Sequence, residues 1–199
     1  MKTIGICGGA NVSITLDTTI PYIGVDRGTE TLLQQNITPI VAVGDFDSIG
    51  DQQLLQGIPV HRLPRDKDIT DSEYALQYAI EEGYDRLLVY GVIGGRQDHF
   101  MAMLAVLQKY NEHSITLLDG QNEIFCLPRG THEIENKGYR YFSIFTYHTT
   151  KISMHSCRYP VDNYMLSHTD PLCVSNEIVG LFVHIENDED IIFMYCSDR

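Results

Sequence analysis

Short apolar runs alternate with amphipathic helical segments over roughly the first 120 residues, a pattern typical of a parallel sheet covered by helices. Six apolar runs, each bounded by polar or turn-forming residues, have the length of buried strands. The predicted strands are Thr3–Cys7, Tyr22–Val25, Ile40–Val43, Val60–Leu63, Leu87–Tyr90 and Ile115–Leu118. We therefore expect an α/β fold for the N-terminal part of the chain.

Two helices are predicted from apolar residues that recur at helical spacing. The first stripe is followed by Gly83, a residue favoured just after a helix end. The two stripes consist of Ala75, Leu76, Ala79 and Ile80, and of Phe100, Met103, Leu104 and Leu107. Both helices fall between predicted strands, as a parallel sheet requires.

The pattern changes after about Gln121, where β-branched and aromatic segments follow one another without a long helical stretch. The clearest strand candidates are Tyr139–Tyr147, Lys151–Met154, Ile178–Ile185 and Ile191–Cys196. Turn formers such as Gly138 separate them. This part of the chain predicts a β-rich second domain, either a small sandwich or a barrel.

Composition and charge limit the kinds of ligand that the protein is expected to bind. The formal net charge of the 199 residues is −13, which argues against nucleic acid because phosphate backbones are bound by basic surfaces. A small phosphorylated ligand remains compatible, since metal ions and a few Arg residues can carry its charge. We expect no membrane span and no signal peptide, and hence a cytoplasmic protein.

Polar and glycine-rich segments follow the predicted strands. Ligands of open α/β sheets bind beyond the carboxyl ends of the strands, so these segments are expected to converge on one binding site. Four of them begin at strand ends, and one precedes the first predicted helix. The five segments are Gly8-Gly9, Asp26-Arg27-Gly28, Gly44-Asp45-Phe46-Asp47-Ser48, Pro64-Arg65-Asp66-Lys67-Asp68-Ile69-Thr70-Asp71 and Gly94-Gly95-Arg96-Gln97-Asp98-His99.

Asp45 and Asp47 form the first candidate metal pair. Alternate residues of an extended segment point the same way, so both carboxylates could face one point. Carboxylates gathered at one point repel unless a cation lies between them, and oxygen ligands suit a Mg²⁺ shared with substrate phosphates. The alternative is an Asx-turn that ends the strand, with Asp45 and Ser48 bonding nearby amides.

Thr70-Asp71-Ser72-Glu73 has the pattern of a capping box, which explains these residues without any function. However, Asp66, Lys67 and Asp68 add more charge than a cap requires. A cap could also hold Asp71 rigidly for a ligand. The two roles are compatible with each other, and the residues alone leave both open.

Gly94-Gly95-Arg96 offers close backbone approach and a guanidinium that can bind phosphate through two hydrogen bonds. Asp98 could also be the N-cap of the next helix. No GxxxxGK[ST] loop occurs, so a triphosphate would be held by metal, Arg and Lys. Taken together, the residues predict a magnesium-dependent enzyme acting on a nucleoside triphosphate, with Asp45, Asp47, Asp68 and Asp71 as its acidic cluster.

Five motifs together resemble bacterial thiamine pyrophosphokinases in order and approximate spacing, over a range from Gly8 to about Val183. They are Val25-Asp26-Arg27-Gly28, Gly44-Asp45-Phe46-Asp47-Ser48, Asp66-Lys67-Asp68-Ile69-Thr70-Asp71, Gly94-Gly95-Arg96-Gln97-Asp98-His99 and Ser175-Asn176-Glu177. The resemblance implies a Rossmann-like α/β domain at residues 1–122, with helices on both faces of the sheet, and a thiamine-binding β-sandwich at residues 123–199. It also implies a homodimer with active sites near the subunit boundary. The reaction would transfer pyrophosphate from Mg-ATP to the hydroxyl of thiamine and release AMP.

The resemblance also implies residue roles. ATP would be bound by Asp26, Arg27, Asp45, Lys67, Asp68, Thr70 and Arg96, and Mg²⁺ by Asp45, Asp47 and Asp71. Thiamine would be bound by Asp98, His99, Ser175 and Asn176. Asp71, Arg96 and Asp98 would be catalytic, with either Asp98 or Asp71 orienting or deprotonating the hydroxyl.

Two other interpretations stay open. Asp45-Phe46-Asp47 after an apolar strand is also similar to the nucleophile loop of haloacid-dehalogenase-like phosphatases, although that class favours Thr or Val where this chain has Ile49. The second alternative is a nucleotide or thiamine sensor that kept the fold without turnover. The chain keeps the full set of predicted carboxylates together with Arg96. This disfavours the sensor, because a protein that only binds its ligand does not need a complete metal cluster.

Overall fold

The computed structural model describes residues 1–10, 15–47, 49–64 and 68–198. The chain divides into two compact units, one made of residues 1–106 and 113–120 and the other of residues 107–112 and 121 onward. Each unit contains buried apolar clusters of its own. Among the helices of the described ranges, none is long and apolar enough to cross a membrane.

Six parallel strands of the first unit pair in the order β4-β3-β2-β1-β5-β6. They match the six predicted strands, with bounds that differ by no more than one residue. Strands covered on both faces consist of almost continuous apolar residues, and all four residues of β2 are buried. The strands are β1 Thr3–Cys7, β2 Tyr22–Val25, β3 Val41–Gly44, β4 Val60–Arg62, β5 Arg86–Tyr90 and β6 Ser114–Leu118.

Both predicted helices are present. The first buries Ala75, Leu76 and Ala79 completely, and Gly83 follows its end with φ +72°. The second buries Met103 and Leu107. A third helix, Gly28–Gln34, was not predicted because its single turn of apolar residues is too short to show periodicity. The helices are α1 Gly28–Gln34, α2 Asp71–Glu81 and α3 Gln97–Lys109, with a 3-10 helix at Gln52–Leu55.

The second unit contains two antiparallel groups of strands, β7-β13-β9 and β11-β10-β12-β8. Side chains of both groups share one apolar core, as in a sandwich, and Phe142, Phe193, Ile152 and Val183 are fully buried in it. The strands are β7 Asn122–Leu127, β8 Gly130–Glu135, β9 Tyr141–Phe145, β10 Thr150–His155, β11 Val161–Leu166, β12 Phe182–Asn187 and β13 Ile191–Cys196.

Three strands of this unit, β7, β8 and β11, were absent from the clearest candidates. Strand β8 alternates between exposed and half-buried positions along its whole length, and β11 buries only Leu166. Strand β8 has a single large apolar residue, Ile134, so the sequence signal for it is weak. The β-rich character predicted for this region is nevertheless confirmed.

Candidate active site

A cavity of about 580 Å³ lies in the first unit, beyond the carboxyl ends of β1, β2 and β5. Of the residues predicted to bind ATP, thiamine or metal, six line it together. These are Asp26, Arg27, Thr70, Asp71, Arg96 and His99. They come from three separate segments, and the fold therefore brings three of the predicted segments to one space, as expected for an open α/β sheet.

Part of the cavity wall is backbone without side chains. Gly91 lines the cavity with φ +66°, and a Cβ on it would come within 2.4 Å of the carbonyl oxygen of Gly8, so only glycine fits between the loops after β1 and β5. Gly94 also lines the cavity, and nothing lies within 4 Å of the place where its Cβ would be. At Gly94 a ligand can therefore approach the backbone directly.

Thr70 and Asp71 form the start of α2. The Thr70 hydroxyl accepts a hydrogen bond from the amide of Glu73 at 3.1 Å, which confirms the predicted N-cap. Asp71 is the first residue of the helix and lines the cavity half-buried. The cap fixes the first turn of α2, and the position of Asp71 in the cavity wall is fixed with it.

Asp45 and Asp47 lie on a turn rather than on an extended segment. The Asp45 carboxylate accepts the amide N–H of Asp47 at 3.0 Å, and Phe46 between them has φ +60°. The extended geometry predicted for this pair is therefore wrong, and Asp45 makes the Asx-type bond considered as the alternative. Neither carboxylate is among the residues that line the cavity.

Arg96 and Asp98 form an ion pair at the start of α3. The Nε and Nη2 atoms of Arg96 donate to the two carboxylate oxygens of Asp98, at 3.2 and 2.6 Å. These bonds hold the pKa of Asp98 below its ordinary value and raise the pKa of Arg96. Asp98 is the second residue of α3, so its predicted position as N-cap is wrong.

Ser175 and Asn176 lie in the second unit, in the connection between β11 and β12. Asn176 is 2% exposed. Its side-chain oxygen accepts the amide N–H groups of Tyr159 and Glu177, at 3.0 and 2.9 Å, and its side-chain nitrogen donates to the carbonyl of Tyr159 at 2.9 Å. Ser175 is exposed, with φ +58°. The Asn176 amide thus holds neighbouring backbone in place.

The described residues contain no ready-made cage of three His, Cys, Asp or Glu side chains for a metal ion. The predicted ligands Asp45, Asp47 and Asp71 are therefore not gathered as such a group. Mg²⁺ is commonly bound by one or two carboxylates and completed by substrate phosphates. The half-buried carboxylate of Asp71 in the cavity wall fits that mode, and the donor set contains only oxygen.

Two further predicted residues are not found at the cavity among the residues that the structure describes. Asp68 is exposed and is not among the lining residues, and Lys67 lies outside the described residues, as do Asp66 and Ser48. Sequence reasoning missed several lining residues that carry no charge, among them Ala10, Ser72, Gly91, Val92 and Ala102. Met103 was assigned only to the helix core. A parallel-sheet model could have located Gly91, which directly follows β5.

The chain matches two family models. Residues 14–118 match the model described as "Thiamin pyrophosphokinase, catalytic domain", and residues 131–192 match "Thiamin pyrophosphokinase, vitamin B1 binding domain". The first match contains the predicted acidic and Arg-containing loops from Asp26 to Asp98, and the second contains Ser175 and Asn176.

Individual relatives agree with these matches. A thiamine pyrophosphokinase of Bacillus subtilis is 36% identical over 194 residues, which cover 90% of this chain and 91% of that protein. The crystal structure of a Bacillus subtilis thiamine pyrophosphokinase has a TM-score of 0.90 at 31% identity, with both chains fully covered. A thiamin pyrophosphokinase of Geobacillus thermodenitrificans has a TM-score of 0.88 at 29% identity, with 98% of each chain covered.

Proposed function

The chain belongs to the thiamin pyrophosphokinase family, and we propose that it transfers the pyrophosphoryl group of ATP to the hydroxyl of thiamine, with release of AMP. The observation that carries this proposal is the composition of the cavity wall beyond the strand ends. The wall contains the guanidinium groups of Arg27 and Arg96, the carboxylate of Asp71 at the start of a capped helix, and glycine backbone. A polyphosphate needs this combination of cations, metal-binding oxygen and close backbone approach.

In the proposed reaction, the hydroxyl oxygen of thiamine forms a bond to the β-phosphorus of ATP. The bond from that phosphorus to the oxygen bridging it to the α-phosphate breaks, and AMP leaves with the electron pair. Such transfers require mainly positioning and stabilisation of charge on the phosphate oxygens. Arg27 and Arg96 line the cavity, where each can donate hydrogen bonds to phosphate oxygens, and Lys67 is proposed as a further phosphate contact.

Asp71 is the predicted catalytic carboxylate that lines the cavity. We assign to it the orientation of the attacking hydroxyl, the acceptance of the proton that this hydroxyl loses as the new bond forms, and a share in holding Mg²⁺. Asp98 is a poorer base, because its bonds to Arg96 lower its pKa. When bound, Mg²⁺ would neutralise phosphate charge and polarise the phosphorus–oxygen bonds, and Asp45, Asp47 and Asp71 are its proposed ligands.

Recognition of thiamine is assigned to His99 and Asp98 at the start of α3 and to Ser175 in the second unit. The description of the second family model as a vitamin B1 binding domain supports a role of the second unit. We also propose that the boundary between the two domains lies at residue 122 and that the first domain is Rossmann-like. We further propose that the protein is a cytoplasmic homodimer with active sites near the subunit boundary.

An assay of AMP release tests the proposal. AMP should form only when ATP, thiamine and Mg²⁺ are all present, because the acceptor hydroxyl and the metal are both required. Release of inorganic phosphate from ATP alone would indicate the phosphatase alternative instead. Binding of thiamine and ATP without any AMP would indicate the sensor. Activity that persists after complete chelation of divalent ions would contradict the metal assignment.

A further inference from the structure

Asp26 lies where three elements of the first unit meet. Its amide N–H donates to the carbonyl of Val43 at the end of β3 (2.9 Å), and its own carbonyl accepts the amide of Thr29 in α1 (3.0 Å). Its φ of +47° lies in the left-handed region that residues with a side chain rarely adopt. Surrounding contacts must therefore hold this conformation, as is common at functional sites.

The carboxylate of Asp26 bonds to a residue far along the chain. Its Oδ1 atom accepts the amide N–H of Phe46 at 3.3 Å. The same oxygen lies directly against Gly44, since a Cβ added to Gly44 would come within 1.9 Å of it. The side chain of Asp26 therefore extends from the cavity wall across the end of β3, and glycine at position 44 leaves the space for it.

The residue that Asp26 holds is the centre of the turn that carries Asp45 and Asp47. The ring of Phe46 is 1% exposed and packs in a core cluster with Ala42 and Leu55. The contacts that hold the turn thus include the packing of the Phe46 ring on its inner side and the bond from the Phe46 amide to Asp26. Because Asp26 also lines the cavity, it connects this turn to the cavity wall.

We propose that Asp26 is a positioning residue, whose carboxylate fixes the Asp45-Phe46-Asp47 turn at the cavity by accepting the Phe46 amide. This inference rests on the proposed function, in which Asp45 and Asp47 hold Mg²⁺. It assigns to Asp26 a role through the turn rather than a direct bond to ATP or metal. The feature that matters is then the hydrogen-bond acceptor of the side chain, and the negative charge is dispensable.

Two substitutions separate the acceptor from the charge. Asp26→Asn keeps an oxygen that can accept the Phe46 amide and removes the charge, and Asn tolerates positive φ. Asp26→Gly removes the acceptor and the charge while permitting the backbone conformation. Asn36→Gly is the matched control, because Asn36 is exposed and also has positive φ, at +60°, and is not among the lining residues.

Hydrogen exchange at the Phe46 amide, measured by NMR without substrates, tests the contact independently of activity. Exchange should accelerate about tenfold or more in Asp26→Gly, because a hydrogen bond to a charged group is lost. It should stay slow in Asp26→Asn and Asn36→Gly. Unchanged exchange in Asp26→Gly would refute the contact even if the protein proved to be an active kinase.

AMP release at varied Mg²⁺ tests the consequence. In Asp26→Gly, kcat/KM should fall at least about tenfold, because small displacements of reacting groups are costly, and more Mg²⁺ should be needed for half-maximal rate. Asp26→Asn should lose clearly less activity than Asp26→Gly. If Asp26→Asn loses as much activity as Asp26→Gly, the charge acts directly and the proposal is wrong. If Asp26→Gly does not fold, exchange at the Phe46 amide of Asp26→Asn decides: slow exchange with activity lost, or fast exchange with activity kept, would overturn the proposal.

Discussion

The polar residues of the matched segments behave differently in the two units. In the first unit, Arg27, Asp71 and Arg96 line a cavity. In the second unit, the amide of Asn176 is buried, and three hydrogen bonds to backbone groups of Tyr159 and Glu177 occupy it. Both sets belong to the same sequence resemblance. A motif residue can therefore serve a ligand or serve the backbone that presents other residues to a ligand.

The contrast extends to neighbouring residues within one motif. The side chain of Asn176 bonds to neighbouring backbone groups, whereas the adjacent Ser175 is exposed. In the same way, Asp26 supports the Phe46 amide and also reaches the cavity. Substitutions should then divide into those that remove activity from a folded protein and those that unfold the unit. Four substitutions, from the largest expected effect to the smallest, test this division.

Asp71→Asn should give the largest loss. Removal of one preorganised group that supports the transition state typically costs roughly 10²–10³-fold in rate, and Asp71 is the carboxylate held in the cavity wall at the start of a capped helix. The fold should persist, since the cap belongs to Thr70. Steady-state AMP release and thermal unfolding measure the two effects.

Asp51→Asn is the control for this change. Asp51 also caps a short helix, accepting the amide of Gln53 at 2.8 Å, and it is not among the residues that line the cavity. Asn can accept the same bond, so activity should remain. Wild-type turnover by Asp71→Asn would show that the carboxylate of Asp71 has no role in catalysis.

The sequence predicted local features more reliably than distant contacts. The strands β1 and β2 were predicted because buried parallel strands are apolar throughout, and the Thr70 cap because its partner lies only three residues away. The bond of Asp26 to Phe46 spans 20 residues, and that of Tyr159 to Asn176 spans 17. Neither leaves a periodic signal. The positive φ of Phe46, which contradicts the extended geometry predicted for Asp45 and Asp47, also leaves no signal in the sequence pattern.

Asn176→Ala should destabilise the protein. The change removes three hydrogen bonds made by a buried side chain, those to the amides of Tyr159 and Glu177 and to the carbonyl of Tyr159, and their loss should lower the free energy of unfolding by roughly 2–4 kcal/mol. Urea unfolding monitored by circular dichroism measures the loss.

Asn136→Ala provides the matched comparison. The Asn136 side chain also bonds backbone groups, accepting from Gly138 and donating to Gly180, both at 3.0 Å, but it is exposed. Water can replace those partners, so the free energy of unfolding should change little. Equal destabilisation by both substitutions would show that burial is not what makes Asn176 important.

Ser175→Ala should affect the substrate and leave stability nearly unchanged. The backbone of Ser175 is held through its amide, which donates to the hydroxyl of Ser143 at 3.0 Å, and its own side chain is exposed. Loss of one hydrogen bond to thiamine should raise the KM for thiamine about twofold to tenfold, with the KM for ATP unchanged. Ser167→Ala, at a half-buried serine of the same connection whose hydroxyl contacts that of Thr169, should change neither KM. An unaltered KM for thiamine in Ser175→Ala would remove Ser175 from the site.

Asp98→Asn should have the smallest effect. Asp98 occupies the Nε and Nη2 side of the Arg96 guanidinium, which leaves the Nη1 donors for phosphate, since the guanidinium carries five N–H groups. The pair is exposed on both sides, and exposed ion pairs contribute little, so kcat/KM should fall no more than about fivefold.

The pH dependence sharpens the test of Asp98. Its pKa is lowered by Arg96, so its carboxylate stays ionised above the ordinary pKa and gains a proton only as the pH falls below that range. The ratio of wild-type to Asp98→Asn rates should therefore be constant from about pH 6 to about pH 8. If Asp98 were the general base, its removal would abolish most of the activity. It would also remove from the pH profile the ionisation that limits the rate at low pH. A loss comparable to that of Asp71→Asn would make Asp98 the base and leave Asp71 with the metal alone.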